Sequence, residues 1–355
     1  MPRTLFVSAF TPERVARHAG GRAAFENLQR LLEAGQAVDV VVCTTEREAA
    51  SDPSYAVVRH GWIDFFLCLL RGLGRYTWRS VLAAPILHTR LNARLQQVLA
   101  QRLATRDYAR VHVEFTQALF VVQDSLRRAG RDLPVTVFVH DLFVQRLLRA
   151  PGFLATLLTG FVMKEEKTIL ARAREVIVSN AKDATLLREL YNLEMPISVK
   201  TFIVPDWCRA VVRAPDARHS GRVLFFANFD RPENAAAARW FIEGPWNEVR
   251  RRVASATLTL GGAGSERIAQ RLGGPGVRGT GFVADPSELF AQCSCAIAPL
   301  MEGAGVKFKV LEALACGVPV IGTPVAFEGI APIGLMIPAG PEDFADKTVA
   351  LLQGS

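Results

Sequence analysis

The chain has 355 residues, half of them hydrophobic, and a net charge of +8, enough for two domains of ordinary size with a core each. Its six cysteines are scattered without a CxxC pair, which argues against a disulfide framework or a zinc site and for a reducing compartment. The longest uncharged stretch, 150–163, contains Pro151 and is too short to span a bilayer.

Met1-Pro2-Arg3 runs straight into the apolar Thr4–Phe10 segment, followed by polar residues rather than a cleavage site, so a cytoplasmic protein is expected. The charge is uneven. The first 205 residues carry the whole positive surplus and the rest is balanced. Arg59 to Arg110 holds nine arginines against Asp64 and Asp107, which predicts an anionic partner for the N-terminal half.

In chain order, Leu5–Phe10 reads as a first strand and Thr11 to Gly21 as a loop ending in Gly20-Gly21. Arg22 to Ala34 reads as an amphipathic helix with Phe25, Leu28, Leu31 and Leu32 on one face, and Val38–Cys43 as a second strand. Between Gly61 and Leu103 bulky apolar residues (Trp62, Phe65, Phe66, Leu69, Leu70, Tyr76, Trp78, Leu82) interleave with Arg71, Arg75 and Arg79. Two readings fit this segment: core-packed helices with a solvated basic face, or helices lying on an anionic membrane surface through residues 59–110. No nucleic-acid module is recognisable, so no nucleic-acid partner is expected. Strands follow at Arg110–Phe115 and Val135–Val139, with a helix at Ala118–Ala129 between them. The second strand runs into His140-Asp141 at the carboxyl edge of the sheet, where two readings fit: a histidine that bonds a substrate or acts as a base, or a loop histidine whose hydrogen bonds are met within the fold. Helices at Phe153–Ala173 and Asp183–Tyr191 flank a short strand at Glu175–Asn180.

Val204-Pro205-Asp206-Trp207 marks a domain boundary, giving domains 1–205 and 206–355. The pattern then restarts. Strands fall at Val223–Ala227, Thr257–Leu260 and within Val277–Phe282, helices at Glu233–Ile242, Arg267–Leu272 and Ser287–Gln292, and a Gly261-Gly262-Ala263-Gly264 run follows the second of these strands. Cys293 and Cys295, two apart, read as small core residues sharing one face of a strand. Both halves therefore predict doubly wound α/β domains.

The chemistry concentrates in residues 301–330. An apolar strand, Cys295–Leu300, leads into a loop with Gly303 and Gly305 and two lysines, Lys307 and Lys309. A helix predicted to start near Val306 carries Glu312, Gly317 and Pro319 stop it, and the next strand begins at Val318. Free amides at a helix start, close backbone approach at glycines and nearby lysines suit an anion such as a diphosphate. Glu312, further into the helix, suits sugar hydroxyls. There is no GxGxxG fingerprint, no GxxxxGK[ST] phosphate loop and no metal-binding DxD motif at a strand end, so no dinucleotide, resident cofactor or metal is expected. No pair of carboxylates stands out for glycoside hydrolysis.

The run Gly303-Ala304-Gly305-Val306-Lys307-Phe308-Lys309-Val310-Leu311-Glu312-Ala313-Leu314-Ala315-Cys316-Gly317-Val318-Pro319-Val320 resembles the donor-site loop, helix and strand of the group-1 retaining, nucleotide-sugar-dependent glycosyltransferases. Gly281-Phe282-Val283, Gly20-Gly21 and His140-Asp141 fall in the family's order. The resemblance implies the GT-B fold: two Rossmann-like doubly wound domains facing a cleft, the C-terminal one for the nucleotide sugar and the N-terminal one for a glycan or lipid-linked acceptor. It assigns Glu312 to the ribose hydroxyls and the backbone of Val306, Lys307 and Phe308 to the diphosphate, with Gly303, Gly305 and Lys309 around it. Gly281, Phe282 and Val283 lie by the base, Gly20 and Gly21 pack on the diphosphate from across the cleft, and His140 touches the donor sugar. In this family the leaving phosphate takes the acceptor proton on the same face, so His140, Lys307 and Glu312 are the residues expected to carry catalysis without a protein nucleophile. The chain departs from the pattern at Ala304, where a glutamate is usual, and at Asn228 and Glu233, where an arginine and a lysine are usual. Lys307 and Lys309 are then left to meet the diphosphate. Two alternatives share the architecture: a catalytically degenerate nucleotide-sugar-binding protein, and a nucleotide-sugar epimerase.

Overall fold

The computed structural model describes residues 3–13, 19–44, 52–73, 87, 92–149, 153–201, 204–303, 305–330 and 335–354. The chain divides into two compact units, Met1–Phe202 and Ile203–Ser355.

The first unit is built on seven parallel strands: β1 (Arg3–Ser8), β2 (Ala37–Thr44), β3 (Ala56–Arg59), β4 (Arg110–Glu114), β5 (Val135–Val139), β6 (Glu175–Val178) and β7 (Ile197–Val199). Its helices are α1 (Ala19–Glu33), α2 (Trp62–Leu73), α3 (Ala93–Thr105), α4 (Thr116–Arg128), α5 (Phe143–Arg149), α6 (Phe153–Leu170) and α7 (Ala181–Tyr191). The strand order is β3-β2-β1-β4-β5-β6-β7. The order reverses between β1 and β4, so a crevice is expected outside their carboxyl ends. The strands are near-continuous apolar runs because helices cover both faces of a parallel sheet. Leu5, Val7, Val41, Val111, Val113 and Val137 join one core with α4. Phe6, Val40 and Val42 face the other way, onto Ala24 and Leu28 of α1.

The second unit has six parallel strands: β8 (Arg222–Phe226), β9 (Thr257–Gly261), β10 (Val277–Gly279), β11 (Cys295–Ala298), β12 (Val320–Gly322) and β13 (Leu335–Met336), in the order β10-β9-β8-β11-β12-β13. Its helices are α8 (Asp206–Ala210), α9 (Pro232–Glu243), α10 (Pro245–Arg252), α11 (Ser265–Leu272), α12 (Ser287–Gln292), α13 (Phe308–Ala315) and α14 (Pro341–Gln353). Here the reversal falls between β8 and β11. Phe225, Phe229, Phe241 and Phe344 fill its core, packed edge to face.

Several local expectations need correction. Gly20 and Gly21 belong to the first turn of α1, not to the loop before it. Leu32 is exposed, and Ala23, Ala24, Asn27 and Leu28 form the buried side of that helix instead. Cys293 caps the end of α12 rather than sharing a strand with Cys295, although both are buried as core residues. The donor-loop helix α13 starts at Phe308, two residues later than the glycine spacing suggested. It stops as expected: Gly317 has φ +68°, and the Val318 amide reaches back to the Ala313 carbonyl at 2.9 Å. The short elements β3, β7, α5, α8, α10 and β13 carry too little periodicity to be read from sequence. Arg75, Tyr76, Trp78, Arg79, Leu82 and Ala304 lie outside the described residues, as do the side chains of Trp62, Phe65, Leu69 and Arg71.

Candidate functional site

In the second unit, β8 and β11 lead directly into the two loops that flank the switch point. After β11, Gly303 and Gly305 have φ of +122° and +71°, conformations that side chains beyond glycine rarely adopt. They turn the chain toward α13, whose N-cap position is Lys307. A lysine side chain has no acceptor, so it cannot cap the amides of the first helical turn as serine or aspartate would. Its Nζ instead donates to the Gly305 carbonyl at 2.5 Å. The positive end of α13 and a lysine thus share one loop.

Lys309, in the first turn of α13, reaches across to α9. Its Nζ donates to Oδ1 of Asn234 on α9 at 2.7 Å and lies 5.4 Å from the centroid of the Phe225 ring. This bond ties together the two helices that follow the switch-point strands. Burial, with the charges of Lys307 and Arg231 adding to it, pushes the Lys309 ammonium down to about 7, against the opposing pull of Glu233 and Glu312. Glu312 is buried one turn into α13. Val306 and Phe308 are part-buried on either side of Lys307.

The loop after β8 holds a further cation. Asn228 makes a tight turn: its Oδ1 accepts the Asp230 amide at 2.9 Å and its carbonyl accepts Nδ2 of Asn234 at 2.7 Å. Arg231 follows, half-exposed and 2.6 Å from Glu233. It is close enough to Lys309 to depress its ammonium. Three cations, Arg231, Lys307 and Lys309, therefore gather at one switch point. Matching fixed positions to a family pattern hid Arg231, because it sits between the two positions compared. Further along the sheet edge, the Gly281 amide donates to Oγ of Ser265 at 2.9 Å. Phe282 beyond it is exposed and Val283 partly so.

The first unit presents a different assembly. Register aligns Phe6 with His112, Ser8 with Glu114 and Glu114 with Phe138, so these residues share the face covered by α1. Glu114 is fully buried. It accepts Nε2 of His112 at 2.7 Å on one oxygen and Nε2 of His140 at 2.5 Å on the other, with Nδ2 of Asn27 from α1 at 3.3 Å. Burial pulls the Glu114 carboxyl up, but the hydrogen bonds and charges of His112 and His140 outweigh it and hold the group below the usual carboxylate range. His140 is buried, stacked between Phe115 and Phe138 with centroids 4.1 and 4.5 Å away. Glu114 was not singled out from sequence. The alternation His112-Val113-Glu114 in a strand could have pointed to it, since same-face polar residues in a buried strand must pair.

Gly20 sits under this group. A Cβ there would come within 2.9 Å of both the Phe10 and the Phe115 rings. Gly21 is buried and its carbonyl accepts the Glu13 amide at 3.4 Å. Beyond His140-Asp141, the start of α5 is held by Glu166 of α6. It accepts the Phe143 and Val144 amides at 3.1 and 3.4 Å and the Tyr191 hydroxyl at 2.6 Å. Burial nonetheless pushes that carboxyl up to about 7. Among the described residues, no group of three or more His, Cys, Asp or Glu side chains is arranged to hold a metal, and no helix is long and apolar enough to cross a membrane.

Residues 220–354 match the family model described as "Glycosyl transferases group 1". No curated protein sequence matches the chain. Among solved structures, it is similar to sucrose-phosphate synthase from Thermosynechococcus elongatus, at 14% identity and a TM-score of 0.67, covering 99% of this chain and 94% of that one. It is also similar to Anabaena HepE in complex with UDP and glucose (13% identity, TM-score 0.65, 99% and 90% covered). A third match is the UDP-forming α,α-trehalose-phosphate synthase of Burkholderia vietnamiensis (14% identity, TM-score 0.63, 99% and 91% covered). The chain thus has the GT-B fold of two Rossmann-like, parallel-sheet domains, and its second domain carries the group 1 glycosyl transferase pattern.

Proposed function

We propose that the protein is a retaining glycosyltransferase that moves a sugar from a nucleoside-diphosphate sugar to a glycan or lipid-linked acceptor. The observation that carries this reading is the β8/β11 switch point, where a glycine loop, an uncapped helix start and three cations gather, with the buried carboxylate of Glu312 one turn into the helix. An anion with a hydroxyl-bearing group beside it satisfies all of these at once. The α13 amides, Lys307 and Arg231 meet the diphosphate, and Glu312 accepts from the ribose. Phe282, exposed at the sheet edge, covers the base. The UDP and UDP-glucose complexes of HepE make uridine nucleotides the first donors to test.

In the reaction, the bond between the anomeric carbon and the diphosphate oxygen breaks and one to the acceptor hydroxyl oxygen forms. The hydroxyl proton passes to the departing phosphate. Negative charge grows on the diphosphate, and preorganised donors aimed at it supply the largest catalytic term; loss of one costs roughly 10²–10³ in rate. The first unit, with His140 at its carboxyl edge, takes the acceptor.

We further propose contact with an anionic membrane surface at the cytoplasmic face through residues 59–110. Ile63, Phe66, Leu67 and Leu70 of α2 are exposed apolar side chains, and the surrounding sequence is rich in arginine.

The test is release of nucleoside diphosphate from UDP-sugars with and without glycan acceptors. Acceptor-dependent release supports the enzyme. Tight UDP binding without turnover supports the degenerate binding protein, a reading favoured by the Arg231–Glu233 ion pair, which neutralises one of the three cations.

A further inference from the structure

The switch point of the first sheet carries a feature that the donor chemistry does not use. Phe115, the residue directly after β4, has φ +74° and ψ +137°, a region essentially reserved for glycine. Its neighbours hold it there. The Phe115 amide donates to the Phe138 carbonyl at 3.0 Å and extends the sheet, while its own carbonyl accepts the Ala118 amide at 3.1 Å and opens α4. A glycine at 115 would make both bonds without strain, yet the chain places a large aromatic ring there. That ring stacks on His140 with one face and makes a T-shaped contact with Phe10 at 4.8 Å between centroids, with 62° between planes. Phe10 follows β1, so the two rings stand over the two strands that define the switch point. Gly20 beneath them leaves no room for a Cβ, so the first turn of α1 is shaped around both rings. Phe10 and Phe115 remain partly exposed, whereas His140 behind them is buried.

We propose that Phe115, braced by Phe10, is an aromatic shelf that receives a pyranose ring of the acceptor at the carboxyl edge of the first sheet. The face of an aromatic ring is negative and the axial C–H groups of a sugar are weakly positive, so the two stack. Backbone strain retained at a binding edge is a mark of function, because a strain-free residue is available at no cost to the sheet. The shelf rests on the glycosyltransferase reading for the identity of the sugar as acceptor.

The experiment is saturation-transfer NMR with aromatic irradiation, using the methyl glucopyranosides and methyl galactopyranosides as probes, on wild type, Phe115→Leu and Phe115→Trp. Leucine keeps the apolar bulk and carries the same backbone strain, so a merely structural role survives it; tryptophan keeps the ring face. Transfer to at least one glycoside is expected in wild type and Phe115→Trp, falling at least five-fold in Phe115→Leu. Equal transfer in Phe115→Leu, or none from any glycoside in wild type, overturns the shelf. UDP binding by calorimetry is run alongside. Glycoside transfer without UDP binding leaves the shelf standing and defeats the donor reading. UDP binding without glycoside transfer does the reverse.

Discussion

The two sheets share an architecture and differ in what stands at the point where strand order reverses. In the first, β1 and β4 end over a buried carboxylate that two imidazoles and an amide satisfy, under a roof of aromatic rings. In the second, β11 opens into a glycine loop and β8 into the Asn228 turn, with Arg231, Lys307 and Lys309 against Glu233 and Glu312. One is a closed polar network whose charge is answered inside the fold. The other concentrates cations, one of them held in a site that disfavours its charge. The same strand order therefore does not dictate the same ligand. An incoming anion has more to offer the second switch point than the first.

The comparison breaks most directly at Glu114. Removing it as Glu114→Ala strips His112, His140 and Asn27 of their common acceptor, and a loss on the order of 3 kcal/mol in urea unfolding is expected. A loss under about 1 kcal/mol would mean that the network is not what holds that edge together. Glu312→Gln should do the opposite, leaving the unfolding midpoint nearly unchanged while weakening UDP binding by about 1–3 kcal/mol in calorimetry. Unchanged nucleotide affinity there would remove the second site from consideration.

Proton linkage separates the units further. Lys309 loses its proton near pH 7 in the folded chain and near 10.5 in the unfolded one. Between these values the unfolded chain binds the extra proton, so stability rises with pH across that window. Lys309→Met should flatten this rise, hold or raise stability at pH 7, and weaken UDP binding. Glu166 has the reverse sign. Its folded value near 7 lies above the ordinary 4.5, so its stabilising contribution is full below pH 4.5 and is lost as pH rises through about 7. Glu166→Gln should remove that slope in pH-dependent melting. Opposite slopes, each abolished by its own variant, would confirm that the units bury charge on different terms. The smallest effect is expected at the surface: Phe66→Ser with Leu67→Ser should reduce co-sedimentation with anionic vesicles several-fold, and wild type that ignores such vesicles in low salt would dispose of the membrane proposal.

Much of the fold was legible in the sequence because both domains repeat a strong local signal. Apolar runs such as Val135–Val139 and Cys295–Ala298, short and bounded by turn signals, read as buried strands, and the stop at Gly317 follows from glycine's access to positive φ. Short pieces such as β13 and α5 were not legible, since they depend on neighbours rather than on their own periodicity. The same holds within the sites. Residue types and order singled out Gly303, Gly305, Lys307 and Glu312, since an anion-binding helix start is a local device. Sequence distance concealed that Lys309 turns to Asn234, 75 residues away, and that His140 is held by Glu114, 26 residues before it.

By itself, the sequence determined two α/β domains and a phosphate-suited loop, because hydrophobic periodicity, glycine conformation and helix-end electrostatics act over a few residues. Only the tertiary structure decided that Arg231 joins the lysines, that Gly20 makes room for two rings, and that Phe115 is held where glycine is usual. Each depends on strands brought side by side by parallel pairing, and burial then sets which charges are answered and which remain for a ligand.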